Sequence, residues 1–130
     1  MFIDSHCHLD FPEFQARLPE VLSNMKAAKV SHALCVSVDL PDFPNVLKLA
    51  QDHSNLYASV GVHPDYENTP EPTFEFLVET AAKHPKIIAI GETGLDYFRT
   101  PPELRGVQQE SFKWHIEMAK KTDRKSTRLN

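Results

Sequence analysis

No apolar run in these 130 residues approaches the roughly 20 that a bilayer span requires. No signal peptide opens the chain either. Met1 is followed by Phe2 and Ile3 and then at once by Asp4, so the expected location is cytoplasmic, with no membrane partner. Basic runs are missing until the last residues. With 14 Lys and Arg against 18 Asp and Glu, the formal charge is -4. That balance argues against a broad phosphate-neutralising face. A nucleic-acid substrate then requires metal ions, rather than Lys and Arg, to meet its phosphates. GxGxxG does not occur, which weakens any dinucleotide-binding reading. Cysteine is scarce: Cys7 and Cys35 read as two buried free thiols in a reducing compartment, with a disulfide between them as the alternative. The length suits one domain and not two.

What is present is an alternation of strand and helix. Phe2 to Cys7 reads as a short strand. Leu18, Val21, Leu22, Met25 and Ala28 recur at helical spacing, with Pro19 near the first turn. The run 33–38 is strand two, and Pro41 to Pro44 opens a second helix with Val46, Leu47, Leu49 and Ala50 inward. Tyr57 to Val62 is strand three, followed by a polar, proline-bearing loop to Pro72. Thr73 to His84 is helix three, 87–90 strand four and 103–121 helix four. Strand starts near 2, 33, 57 and 87 give one βα unit every 24 to 31 residues, which implies parallel strands and crossover helices. An open doubly wound sheet and part of a (β/α)8 barrel both fit. The polar residues favour the barrel. His6 and His8, Asp39, His63 and Glu92 each lie at the C-terminal end of a different strand, and in a barrel those ends meet at one mouth.

Asp4-Ser5-His6-Cys7-His8-Leu9-Asp10 carries the chemistry of the N-terminus. Two histidines at i and i+2 on a strand share a face, with Cα atoms about 6.5–7 Å apart. That spacing suits two neutral imidazoles converging on one cation, and Cys7 faces the other way. Glu92, in Gly91-Glu92-Thr93-Gly94-Leu95-Asp96-Tyr97, supplies a carboxylate that can bridge two cations, which a histidine cannot do. Asp4 shares the side of His6 and is expected to orient an imidazole from behind. Asp96 reads as a turn or supporting residue rather than a ligand. His63, before Pro64, is placed to contact substrate or a leaving group. His32, His53, His84 and His115 read as structural, and Trp114 and the phenylalanines as packing residues rather than a base-stacking platform.

Ser5-His6-Cys7-His8-Leu9-Asp10, Gly61-Val62-His63-Pro64 and Gly91-Glu92-Thr93-Gly94-Leu95-Asp96-Tyr97 resemble the TatD family of metal-dependent deoxyribonucleases, within the amidohydrolase-like barrels. Gln108-Gln109-Glu110-Ser111-Phe112 resembles that family's fourth helix. The resemblance covers residues 1 to about 122. It implies an α/β fold, the N-terminal half (about four βα units) of a (β/α)8 TIM barrel. It also implies a hydrolase of DNA phosphodiester bonds with a two-metal site. His6 and His8 would bind the first metal, Glu92 would bridge to the second, and His63 would line the substrate site. Zinc, magnesium and manganese all suit such donors, and DNA is the implied partner, with no obligate protein partner evident.

Family members are about twice this length. Their remaining ligands, two histidines and a late aspartate, belong to strands five, six and eight. Residues 1–122 are therefore read as a partial hydrolase barrel that ends before strand five, and the chain by itself as inactive. Residues 123–130, Asp-Arg-Lys-Ser-Thr-Arg-Leu-Asn, are basic, polar and without strand periodicity. One frame of a common sequencing adapter beginning GATCGGAAGAGC encodes them in order. The tail is thus expected to be foreign to the family, a natural polar tail being the alternative. Strands one and four would then be open edges. Two other functions stand beside the nuclease: an amidohydrolase-like enzyme acting on a small amide, ester or lactone, and a noncatalytic metal-binding half-barrel.

Overall fold

The computed structural model describes residues 1–65 and 72–128. Most of the loop expected before Pro72 and the last two residues of the tail lie outside that range. Five strands pair in parallel and in chain order: β1 (Phe2–Cys7), β2 (Val30–Cys35), β3 (Leu56–Val60), β4 (Ile87–Thr93) and β5 (Lys125–Arg128). The crossovers carry α1 (Pro12–Gln15) and α2 (Leu18–Ala27), then α3 (Phe43–Asp52), α4 (Phe74–Lys83) and α5 (Arg105–Thr122). Strand order that never reverses is the order of a barrel, whereas a doubly wound sheet switches direction. Four βα units followed by a fifth strand make half a (β/α)8 barrel. Among the described residues no helix is long and apolar enough to cross a membrane.

Period-two alternation divides the sheet into two faces. Leu56, Ala58 and Val60 join Ala33 and Cys35 in the core beneath the helices, with Val46, Ala50, Leu77 and Met118 opposite them. Leu34, Val36, Ala89 and Tyr57 pack together as a second, smaller cluster. Local chemistry sets the helix starts. Pro19 and Pro44 occupy first-turn positions, where a missing N–H costs nothing. Thr73 caps α4 by accepting the Phe76 N–H at 3.1 Å. Asp123, at φ 52°, ends α5 in the left-handed conformation. At the N-terminal end of the sheet, Lys86 Nζ donates to the carbonyls of His53, Ser54 and Leu56 at 3.0, 2.8 and 2.8 Å and lies over the Tyr57 ring.

Two expectations are corrected. The chain does not stop before a fifth strand, and β4 is not an edge. Ala89, Ile90 and Thr93 pair with Lys125, Ser126 and Arg128. A ladder needs backbone N–H and C=O groups rather than apolar alternation, so a polar run fills the slot beside β4. β3 and β4 are buried along nearly their whole length but β1 is not: Phe2 and Ile3 are 66% and 68% exposed. Trp114, read as a packing residue, is 56% exposed on α5 where it lines a cleft beside α4. The added short helix α1 and shifts of a few residues in strand limits change nothing in the topology.

Candidate metal centre

The exits of the strands are laced together by main-chain bonds. Val36 N–H donates to Cys7 O at 2.8 Å, His63 N–H to Val38 O at 2.8 Å, and Glu92 N–H to Ser37 O at 3.0 Å. Two buried serines reinforce this. Ser59 Oγ accepts the Ser37 N–H at 3.1 Å and donates to Gly91 O, while Ser37 Oγ donates to Asp39 O at 2.9 Å. Gly61 lies so close to Gly91 that a Cβ on it would sit 2.6 Å from the Gly91 Cα. Only glycine admits this approach, which draws β3 and β4 together where His63 and Glu92 leave them.

Glu92 is the centre of the site. It is 4% exposed, and three imidazoles face it. His6 Nε2 is 3.5 Å from Oε1, His8 Nε2 3.7 Å from Oε2, and His63 Nε2 3.8 Å from Oε1. The His6 and His8 rings meet edge to face at 5.1 Å, and Phe11 stacks on His8 at 4.8 Å. His8 Nδ1 lies 3.0 Å from Val36 O, a bond that only an Nδ1–H can make. That leaves the Nε2 lone pair directed toward Glu92, which is how a ligating histidine is usually set. His63 is arranged oppositely. Its Nδ1 accepts the Asp65 N–H at 3.0 Å, so the neutral ring carries its proton on Nε2. Burial holds the His63 pKa below the ordinary histidine value, against the pull of the Glu92 carboxylate. His63 is therefore a hydrogen-bond donor pointing into the site.

One ligand atom from each of His6, His8 and Glu92 lies within 4.8 Å of the other two. Metal–ligand bonds of about 2.0–2.2 Å bring donors to roughly 3–4 Å apart, a small rotation away. A buried carboxylate facing the Nε2 atoms of two imidazoles fits a divalent cation by its donor chemistry.

The remaining sequence-derived candidates sit elsewhere. Asp4 Oδ1 accepts the backbone N–H of His6 at 3.0 Å, so it steadies the strand and not an imidazole ring as expected. Asp96 is a turn residue: Oδ1 accepts the N–H groups of Phe98 and Arg99, both at 3.1 Å. Asp39 Oδ1 accepts the Asp42 N–H at 2.8 Å before α3 and does not reach the cluster. Asp10 is buried with Oδ1 unpaired among the described residues, and loss of solvent raises its pKa. The sequence reading passed over Gln108. Its buried amide donates to Pro64 O at 2.9 Å and to Thr100 Oγ1, and accepts the Asp96 N–H at 2.9 Å, so it joins the loops after β3 and β4. His115, expected to be structural, is fully buried, donates from Nδ1 to Ser111 O at 2.8 Å and accepts the Val62 N–H at 3.3 Å beside His63. A polar amide on an inward helical position is the signal that would have found Gln108. A cleft of about 810 Å³ between α4 and α5, lined by Phe74, Val107 and Trp114, contains none of the candidate donors.

Residues 3–125 match the family described as TatD related DNase. The chain belongs to that family. TatD relatives similar to it include the uncharacterized metal-dependent hydrolase YcfH of Escherichia coli K12, 37% identical over 125 residues, covering 94% of this chain and 46% of the relative. YabD of Bacillus subtilis 168, which carries the same description, is 32% identical over 126 residues, covering 95% and 48%. The crystal structure of YjjV, a TatD homolog from E. coli K12, superposes with a TM-score of 0.86 at 31% identity, covering 96% of this chain and 49% of that one. The chain spans about half the length of the curated relatives it matches. The TatD fold seen in YjjV supports the half-barrel reading of the strand order.

Proposed function

We propose that the TatD-type protein carrying this half-barrel hydrolyses DNA phosphodiester bonds with divalent metal ions. His6, His8 and Glu92 hold metal, and His63 faces the substrate. The observation that carries this reading is the buried Glu92 carboxylate, each of whose oxygens faces an imidazole. The two oxygens would let the carboxylate serve two ions; the imidazoles favour zinc-like ions, whereas the carboxylate also suits magnesium or manganese. Bound ions supply an activated water and neutralise charge developing on the phosphate. His63, neutral with its proton on Nε2, offers a hydrogen bond to a phosphate or leaving oxygen. Asp65 fixes that tautomer through its backbone, and Gln108 holds the two mouth loops at their spacing. DNA is supported by the family description and is compatible with the charge of -4 when cations meet the phosphates.

Two experiments test this. Zinc binding to the chain, followed calorimetrically, should weaken at least about tenfold in Glu92→Gln, a difference of roughly 1.4 kcal/mol. Equal affinity in the variant sinks the donor set. A version as long as the relatives should cleave single-stranded or nicked DNA in a metal-dependent way, while this chain alone shows little cleavage. Turnover of small esters or lactones with none of DNA replaces the nuclease with another hydrolase of the same mouth.

A further inference from the structure

Cys7 and Cys35 are register partners on β1 and β2. Both are free thiols, their sulfurs 3.9 Å apart, and Cys7 Sγ lies 3.3 Å from Leu34 O. Paired strands run about 4.8 Å apart, which places the two Cα atoms in the range a disulfide spans. Closing to a bond of about 2.05 Å asks for a side-chain rotation and a small approach of the strands. Cys35 is fully buried and Cys7 is half-buried against the core, so an oxidant reaches the pair through a local opening of β1, which lies at one end of the strand order.

Cys7 stands between His6 and His8, while Glu92 stands on β4, with two strands between. The Cys7 carbonyl accepts the Val36 N–H, and the Val36 carbonyl accepts the His8 ring N–H. A pull on Cys7 toward β2 therefore shifts the main chain that carries both imidazoles relative to the Glu92 carboxylate. We infer that Cys7 and Cys35 form a reversible disulfide site whose oxidation alters the geometry of the His6–His8 donor pair. The oxidant is a low-molecular-weight disulfide such as oxidised glutathione. The Cys7 thiol gives up its proton to solvent as its sulfur attacks one of the oxidant's sulfurs, a mixed disulfide forms and one small thiolate leaves. Cys35 sulfur then attacks Cys7 sulfur, the protein disulfide forms and the second small thiolate leaves. The protein loses two electrons and two protons, and the oxidant takes them up as two thiols.

The effect on the donor pair rests on the metal-site reading; formation of the bond does not. The full chain is incubated with oxidised glutathione, and intact mass and zinc affinity are recorded. The expected product is a monomer lighter by two hydrogens with no glutathione retained, whose zinc affinity differs from the reduced chain by tenfold or more and returns with dithiothreitol. Cys35→Ser should stop at the glutathione adduct while binding zinc as the reduced chain does. Stable adducts on wild type with no internal bond overturn the proposal, as does an internal bond with unchanged zinc affinity. Loss of zinc binding in reduced Cys35→Ser overturns it too, because it makes the sulfur a ligand. Reduced wild type that binds no zinc defeats the metal-site reading and with it the effect on the donor pair, while the mass still decides whether the bond forms.

Discussion

β1 and β4 contribute to the same three-residue donor set under opposite conditions. β4 lies between two strands, and six of its seven residues are buried. Among the described residues β1 pairs on one side, its first four residues are exposed and the other two half-buried, and its register with β2 is interrupted twice. Glu92 is thus held by a well-buried part of the sheet, and His6 by an exposed part that costs less to open. His8, just past the end of β1, depends on that strand's exit, although its ring is steadied by Val36 and Phe11. A cation binding all three would tie a loose strand to a firm one.

The largest effect should come from spoiling the firm side. Gly61→Ala puts a methyl group 2.6 Å from the Gly91 Cα, against backbone that has nowhere to go. The cost should reach the upper end of the roughly 1–3 kcal/mol typical of overpacking, and zinc binding should fall with it. Urea unfolding with and without zinc measures both; wild-type stability in the variant would show that the strand exits have slack. The next effect concerns the loose side. Zinc at ten times its dissociation constant should stabilise the chain by about 1.4 kcal/mol, with β1 amides gaining more exchange protection than β4 amides. Uniform protection would remove the contrast. The smallest effect is a pH dependence just after β1. Burial raises the Asp10 pKa, so ionising it takes stability away as pH climbs from the ordinary carboxylate range into the raised one. Asp10→Asn removes that loss. The melting temperature of the variant should gain on wild type between about pH 3 and pH 7. A difference between the two that does not vary with pH would mean that Asp10 ionises as easily in the fold as outside it.

Periodicity made much of this legible. His6 and His8 at i and i+2, polar residues at the ends of apolar runs, and βα units of even length were enough for strand order and for the convergence on Glu92. What stayed hidden depends on partners that no local pattern names. Asp39 looked like a mouth residue, but its carboxylate is engaged by the Asp42 N–H. Asp4 has the right strand face yet grips the main chain of His6. Ser37 and Ser59 read as ordinary strand residues until their bonds to each other and to Gly91 are seen. β5 escaped notice because its pairing is a property of backbone, and periodicity reports only on side chains.

Lys86 sits at the far end of the sheet from the donor set. One ammonium there gathers three carbonyls from the turn that leads into β3. The strands are thus pinned at their entrances by an interaction that takes no part in the chemistry at their exits. Substitutions among the donor residues at the mouth then leave this foundation untouched. The converse is a vulnerability: acetylation of this single amine would remove its charge and leave one N–H for three carbonyls, loosening the sheet from below with every donor residue of the site still in place.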